Sequence, residues 1–357
     1  MKDQLLTTLR ELTALHAPPG FEQPVVRYLV EAFKPLADSV EVDRFGNLYA
    51  VKQGRAAHPR LMVSAHSDEI GGMVKSILPD GFLKIDRLGG VLDSLIVGRK
   101  VWVNGHLGVV GAKSGHLQSA EERQRVQPMD GMYVDVGAAS ADEVRRMGIA
   151  IGDPWVWLSE LEHMTNPDRI VGKGIDNRIS CAVLLQLFRE LQGQTIAGTL
   201  VGLVAVQEEV GLRGAKVAAE HANPDYAVVI DTFMSGDTPD VSYHKEMPTG
   251  IGRGPVMLLA NSGSIMHGSM KRIMHEAAQR AGVAYQPATV IGKSSTDAAT
   301  IHLAREGIPT GGLGLCRRYS HSPVETMDLN DAVGAVRWLC ALVNAMGEHD
   351  ERALAFV

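Results

Sequence analysis

The sequence predicts an α/β fold, a mixed and mostly parallel sheet flanked by helices, with a small β domain inserted into it. Three observations carry this expectation. The runs "RLMVSAH" ending at His66, "GTLVGLVAVQEE" ending at Glu208 and Glu209, and "DYAVVIDT" carrying Asp231 are apolar almost throughout, like strands covered on both faces. Helix-period segments separate or follow them, the alternation that builds parallel sheets. From about residue 70 to 163 the chain changes to short alternating segments broken by glycines, such as "GFLKIDRL", "KVWVNGHLGVVGA" and "GMYVDVG".

Taken in order, the N-terminal "MKDQLLTTLRELTALHAPPG" carries charges throughout and has no uninterrupted apolar core. It reads as an amphipathic helix built on Leu5, Leu9 and Leu12 and stopped at Pro18 and Pro19, not as a secretion signal. The His66 strand follows, and then the insert. The insert's charged stretch "SAEERQRVQPMDG" reads as a loop, and an exposed edge among its short strands favours association. A helix begins near Asp176 and runs to Gly193, with Ile179, Val183, Leu187 and Leu191 along one stripe. "SIMHGSMKRIMHEAAQRAG" and "DAVGAVRWLCALVNAM" supply two more helices. The expected division is one α/β domain made of residues 1–69 and 164–357, interrupted by a β domain at 70–163.

Composition narrows the function classes. A length of 357 residues exceeds one ordinary core, and 45% hydrophobic content supports a sizeable interior. The net charge of −6 is mild and spread out, so no nucleic-acid footprint is expected. No apolar run has the length of a membrane span. Cys181, Cys316 and Cys340 show no close pairing, which points to reduced thiols and a cytoplasmic protein.

The chemistry lies at the strand ends, where open α/β sheets collect ligands. His66, the Glu208–Glu209 pair and Asp231 sit there. "RRYSHSPVE" adds His321 in a loop, and "GKGIDNR" places Asp176 before a helix. Each residue also has an ordinary reading: Asp176 as a helix N-cap, Asp231 as a strand-end cap, the glutamates as a solvated terminus. Their coincidence favours a divalent metal site, since imidazoles and carboxylates suit Zn²⁺, Co²⁺ or Mn²⁺. Two ions held close together need one bridging carboxylate and about two further ligands each. The inventory meets that need with one carboxylate left over, which can take a proton from water. One of the two adjacent glutamates then binds metal while its neighbour serves as base.

"SAHSDEIGG", "GKGIDNR", "VQEEVGLRGA", "VVIDT" and "RRYSHSPVE", in this order, resemble the signature blocks of the M42 metallopeptidases. "APPGFEQPVV", "GVVGAKSGHL" and "SSTDA" extend the resemblance to nearly the whole chain. The resemblance implies a zinc-peptidase-like catalytic domain with a PDZ-like β dimerisation insert. It implies two divalent ions per subunit, zinc or cobalt, and peptide substrates with a free N-terminus. It also implies a homo-oligomer, either a dimer or a dodecamer built from dimers. Carried over by position, His66 and Asp231 would bind one ion, Glu209 and His321 the other, and Asp176 would bridge them. Glu208 would be the general base, and Asp68 would orient His66. A cis peptide is implied at Asp176–Asn177.

Some residues depart from the family pattern: Ser67, Gly72, "KSSTDA", and Cys316 with Arg317 before "RYSH". None removes a ligand, so they are expected to bear on specificity more than on mechanism. Two other functions compete with the dinuclear metal aminopeptidase that the resemblance implies. A glycoside hydrolase could use paired carboxylates, but adjacent glutamates cannot easily flank a sugar bond. A non-catalytic assembly protein on the same scaffold would usually have lost a ligand or the base.

Overall fold

The structure is a computed structural model and describes residues 1–356. The strand Arg60–His66 has parallel neighbours on both sides, Thr199–Ala205 and Tyr226–Met234. Thr310–Arg318 continues the parallel order beside Tyr226–Met234. This parallel centre lies within an 11-stranded sheet whose flanks are antiparallel. Leu48–Lys52 pairs on the Thr199 side, while Glu325–Asp328 and then Arg169–Gly172 extend the other side. The registers Ala205↔His66 and Asp231↔Gly314 bring the carboxyl ends of the central strands to one edge.

Two strand ends differ from the sequence expectation. The Thr199 strand stops at Ala205, before the glutamates, because Gln207 turns the chain with φ 55°. The Tyr226 strand continues past Asp231 to Met234, held by its pairing with the Thr310 strand.

Helices Lys2–Ala14, Ile175–Glu190 and Leu329–Asn344 pack together over one face. The stripe Ile179, Val183 and Leu187 is buried as expected, but so are Leu184, Leu185 and Phe188. Enclosure on all sides explains why this helix has no polar face. On the other face, Arg213–Ala222 packs Ala215, Ala218, Ala219 and Ala222 beside Ile301 and Ile308. The N-terminal helix buries Leu5, Leu9 and Leu12 completely.

The insert forms a closed barrel, in the order Gly71–Ile77, Leu83–Leu88, Tyr133–Asp135, His106–Gly111, Lys100–Val103 and Pro154–Trp157. Val74, Ile85, Val101, Val110, Val134 and Trp155 fill it. Closure removes the free strand edge that short strands would otherwise leave, so edge pairing is not open to this domain. The charged stretch after Leu117 is an exposed loop with one-turn 3₁₀ segments at Glu122–Gln124 and Met129–Gly131. Glu162–His163 already pairs with Arg169–Gly172 of the large sheet.

A buried ionic knot ties the parts together just beyond His66. Glu69 accepts from Lys173 Nζ at 2.8 and 2.9 Å, from Arg178 Nη2 at 3.3 Å and from the Ala17 N–H at 3.3 Å. Arg178 also donates to the Leu12 carbonyl at 2.7 Å. One carboxylate thus joins the exit of the His66 strand, the Asp176 helix and the end of the N-terminal helix. Burial alone would raise the Glu69 pKa, but the charges of Lys173 and Arg178 outweigh it and hold the carboxyl below its usual 4.5. Glu69→Gln should therefore strand two buried cations and destabilise the fold by about 3–5 kcal/mol, read as a lower urea midpoint. Because the folded pKa is depressed, this stabilisation is complete above the usual carboxylate range and disappears as pH falls through the folded value. A variant midpoint equal to the parent's at neutral pH would refute the knot's importance.

Candidate metal centre

His66 Nε2 stands 3.5 Å from Asp176 Oδ1, 3.6 Å from Asp231 Oδ1 and 3.8 Å from Glu208 Oε2. His321 Nε2 stands 3.4 Å from Asp176 Oδ2 and 3.6 Å from Glu209 Oε1. Asp176 therefore turns one oxygen toward each imidazole. Ligand atoms about 2.1 Å from one ion at tetrahedral angles stand about 3.4 Å apart, so both spacings suit a shared cation. The ligand atoms of His66, Asp176 and Glu209, and those of His66, Glu208 and Asp231, each lie within 4.8 Å of one another. Asp176 Oδ1 is buried without a hydrogen-bond partner. An orphaned carboxylate oxygen facing an imidazole is the kind of acceptor a cation satisfies. The residues present thus fit divalent ions.

The geometry is held by carboxylates behind the donor atoms. His66 Nδ1 lies 3.3 Å from Asp68 Oδ1, leaving Nε2 to face the centre. Asp68 also accepts the Glu208 N–H at 3.1 Å and the Glu209 N–H at 3.0 Å. It thereby fixes the turn from which Glu208 reaches toward His66 and Glu209 toward His321. Glu325 does the same across the site, accepting the Asp176 N–H at 2.9 Å and the His321 N–H at 3.0 Å. The Asp176–Asn177 peptide is cis, and Asn177 Nδ2 donates to the Ile230 carbonyl at 3.1 Å.

The inserted barrel also reaches the centre. The Gly90 carbonyl lies 3.2 Å from His321 Nδ1. A Cβ on Gly90 would fall 2.5 Å from that nitrogen, so only glycine permits the approach.

The electrostatics record an excess of buried negative charge. Burial first, then Asp231, Glu209 and Asp297, hold the Glu208 pKa well above its usual value against the pull of His66. Burial and Asp176 push Glu209 up to about 8. Burial raises Asp231, and burial with Asp231 and Asp68 takes Asp297 to about 8. Asp176 alone goes the other way. Burial would raise it, but Arg317, His321 and His66 hold it well below 3.8. Burial would lower both imidazoles, yet the surrounding carboxylates hold His66 well above 6.5 and bring His321 to about 9. Divalent cations would relieve this imbalance.

All the residues chosen from the sequence, His66, Asp68, Asp176, Glu208, Glu209, Asp231 and His321, meet in this one region. Sequence reading missed Glu325, Asp297 and the Gly90 carbonyl, and expected Arg317 to bear on specificity. Glu325 had a signal, lying four residues after His321 in the same block, and Asp297 lies in "SSTDA". The Gly89–Gly90 pair offered only a generic turn signal. Other histidines are engaged elsewhere: His106 with the Met147 carbonyl, His163 with the Pro167 carbonyl, and His275 with the Tyr285 hydroxyl.

The fold and this cluster define a peptidase-type α/β domain. The family profile of M42 glutamyl aminopeptidases matches residues 46–337, and the chain belongs to that family of aminopeptidases. The glutamyl aminopeptidase of Lactococcus lactis is 31% identical over 96% of this chain and 97% of its own. Among solved structures, the TET aminopeptidase of a marine sediment Thaumarchaeota archaeon superposes with a TM-score of 0.93 at 31% identity, covering 99% of this chain and 98% of that one. The Pyrococcus horikoshii TET1 peptidase, described as assembling into a tetrahedron or a large octahedral shell, gives a TM-score of 0.84 at 30% identity, with coverages of 95% and 99%.

Gly90→Ala tests the barrel's contribution. The added methyl should displace the His321 ring and lower peptidase turnover by about 10–100-fold with the circular dichroism spectrum unchanged. Turnover equal to the parent's would show that the Gly90 contact is dispensable.

Proposed function

We propose that this chain is a dinuclear metal-dependent aminopeptidase that removes N-terminal residues from peptides. The observation that carries the reading is Asp176, whose two oxygens stand 3.5 and 3.4 Å from two different imidazoles. His66 and Asp231 would hold one ion, Glu209 and His321 the other, with Asp176 shared. Imidazole and carboxylate donors without thiolate suit zinc or cobalt. Cys181 supports this donor set, because its thiol donates to the His66 carbonyl at 3.1 Å.

Two such ions, when bound, polarise a substrate carbonyl and make water more acidic. Glu208 takes the proton from the attacking water and delivers it to the departing amine. Asp68 accepts the Glu208 N–H, which keeps Glu208 in place, and would orient the His66 ring, whose Nδ1 lies 3.3 Å from Asp68 Oδ1. The cleft over the centre, about 360 Å³, is lined by Thr232, Phe233 and Met234 on one side and Ser294 to Thr296 on the other. It continues past Met234, Lys293 and Ser320 into a second recess of about 380 Å³, which offers room for the N-terminal side chain.

The glycosidase reading loses ground, because Glu208 and Glu209 gather with histidines instead of facing each other across a cleft. The non-catalytic reading loses ground because no ligand or base is missing. Cys181, Cys316 and Cys340 are unbridged, which fits a cytoplasmic enzyme. No helix among the described residues is long and apolar enough to cross a membrane.

The adjacent glutamates provide the decisive test. Glu209→Ala should lose metal, by elemental analysis, and recover some activity in excess metal. Glu208→Gln should keep both ions yet lose about 10²–10⁴-fold in rate, without rescue by metal. The opposite pattern would exchange the two roles. No effect of either change would end the dinuclear reading.

Assembly through the insert belongs to the same proposal. Leu107 and Val109 expose apolar surface on one face of a barrel strand, and Leu92, Val97 and Leu117 expose more on loops of the insert. With its edges closed, the barrel would associate through this outer surface to form a homo-oligomer. Leu107→Asp with Val109→Asp should reduce particle mass in light scattering, and an unchanged mass would place the contact elsewhere.

A further inference from the structure

We infer that Arg317 makes the two ion positions unequal, weakening the one framed by Glu209 and His321 relative to the one framed by His66 and Asp231. This rests on the two-ion reading above. Arg317 is 4% exposed, and its Nη2 donates to Asp176 Oδ2, the oxygen that faces His321. The opposite oxygen, Oδ1, has no hydrogen-bond donor at all. One end of the shared carboxylate is therefore already engaged by a cation and the other is free.

Arg317 is locked in this place. Its Nη1 donates to Ser320 Oγ at 2.6 Å, and its Nε forms an ion pair with Glu325 Oε1 at 3.0 Å without hydrogen-bond geometry. The neighbouring Arg318 points away and pairs with Asp237 at 3.0 and 2.8 Å. A guanidinium cannot shed its proton to relieve repulsion, as a lysine could. In a buried site of reduced dielectric, a fixed positive charge on a ligand oxygen opposes a second cation on that same oxygen. The charges around the two imidazoles differ in the same sense. Glu208, Asp231, Asp68 and Asp297 all act on the His66 side, whereas Arg317 acts directly on His321 and is felt more by Asp176, Glu325 and Glu209 than by Asp231. The sequence departure at Arg317 thus bears on the metal centre itself and not only on specificity.

The test is a titration of chelator-stripped, full-length protein with Co²⁺, followed by calorimetry and by visible absorption. The parent should bind two equivalents in two classes at least tenfold apart. His321→Ala should abolish the weaker class. Arg317→Met and Arg317→Gln should tighten the weaker class at least tenfold and leave the tighter one unchanged. Two equal classes in the parent, loss of the tighter class in His321→Ala, or an unchanged gap in folded Arg317 variants would each overturn the inference. The parent and His321→Ala titrations can still overturn the inference if neither Arg317 variant folds. A single equivalent in both the parent and the Arg317 variants would instead overturn the two-ion reading itself.

Discussion

The constraint on which the rest depends is the burial of many carboxylates at one edge of a sheet. Glu208, Glu209, Asp231 and Asp297 lie close together with their pKa values pushed upward. Such a cluster repels itself and resists leaving water. The chain nevertheless holds it in register by fixing the backbone beneath it. Asp68 grips the N–H groups of both glutamates, and Glu325 grips those of Asp176 and His321. Acceptors behind the site thus keep the side chains in front of it at spacings that suit cations.

This arrangement requires a rigid platform. The parallel pairing of the His66, Thr199, Tyr226 and Thr310 strands aligns their ends, and apolar burial on both faces keeps them aligned. The Glu69 knot then joins the first loop of the site to the Asp176 helix and to the N-terminal helix. Stability and site geometry share residues here: Arg178 and Lys173 belong to the same short block as Asp176.

The inserted barrel is more than an appendage. Its Gly90 reaches the His321 ring, and Gly89 passes beside Glu209. Any surface through which the barrel associates is therefore connected, through one loop, to the His321 imidazole of the α/β domain. Of the departures from the family pattern, Lys293, Ser294 and Ser295 line the cleft, and Arg317 reaches Asp176.

By itself, the sequence determined the fold class and the chemical types at the site. Apolar runs such as "RLMVSAH" record burial directly, and a polar residue at the end of such a run stands out against it. That is why His66 and Asp231 were legible, and why Leu5, Leu9 and Leu12 were legible as a buried stripe. Ordered family-like blocks made Asp176, His321 and the two glutamates legible as a set. Only the tertiary structure decided which oxygen faces which ring, that Asp68 holds both glutamates, that the barrel is closed, and that Arg317 lies on Asp176. The last pair is separated by 141 residues, and such contacts follow from strand register and domain packing. Periodicity encodes which face of a segment is buried; it carries no information about which distant segment will meet it there.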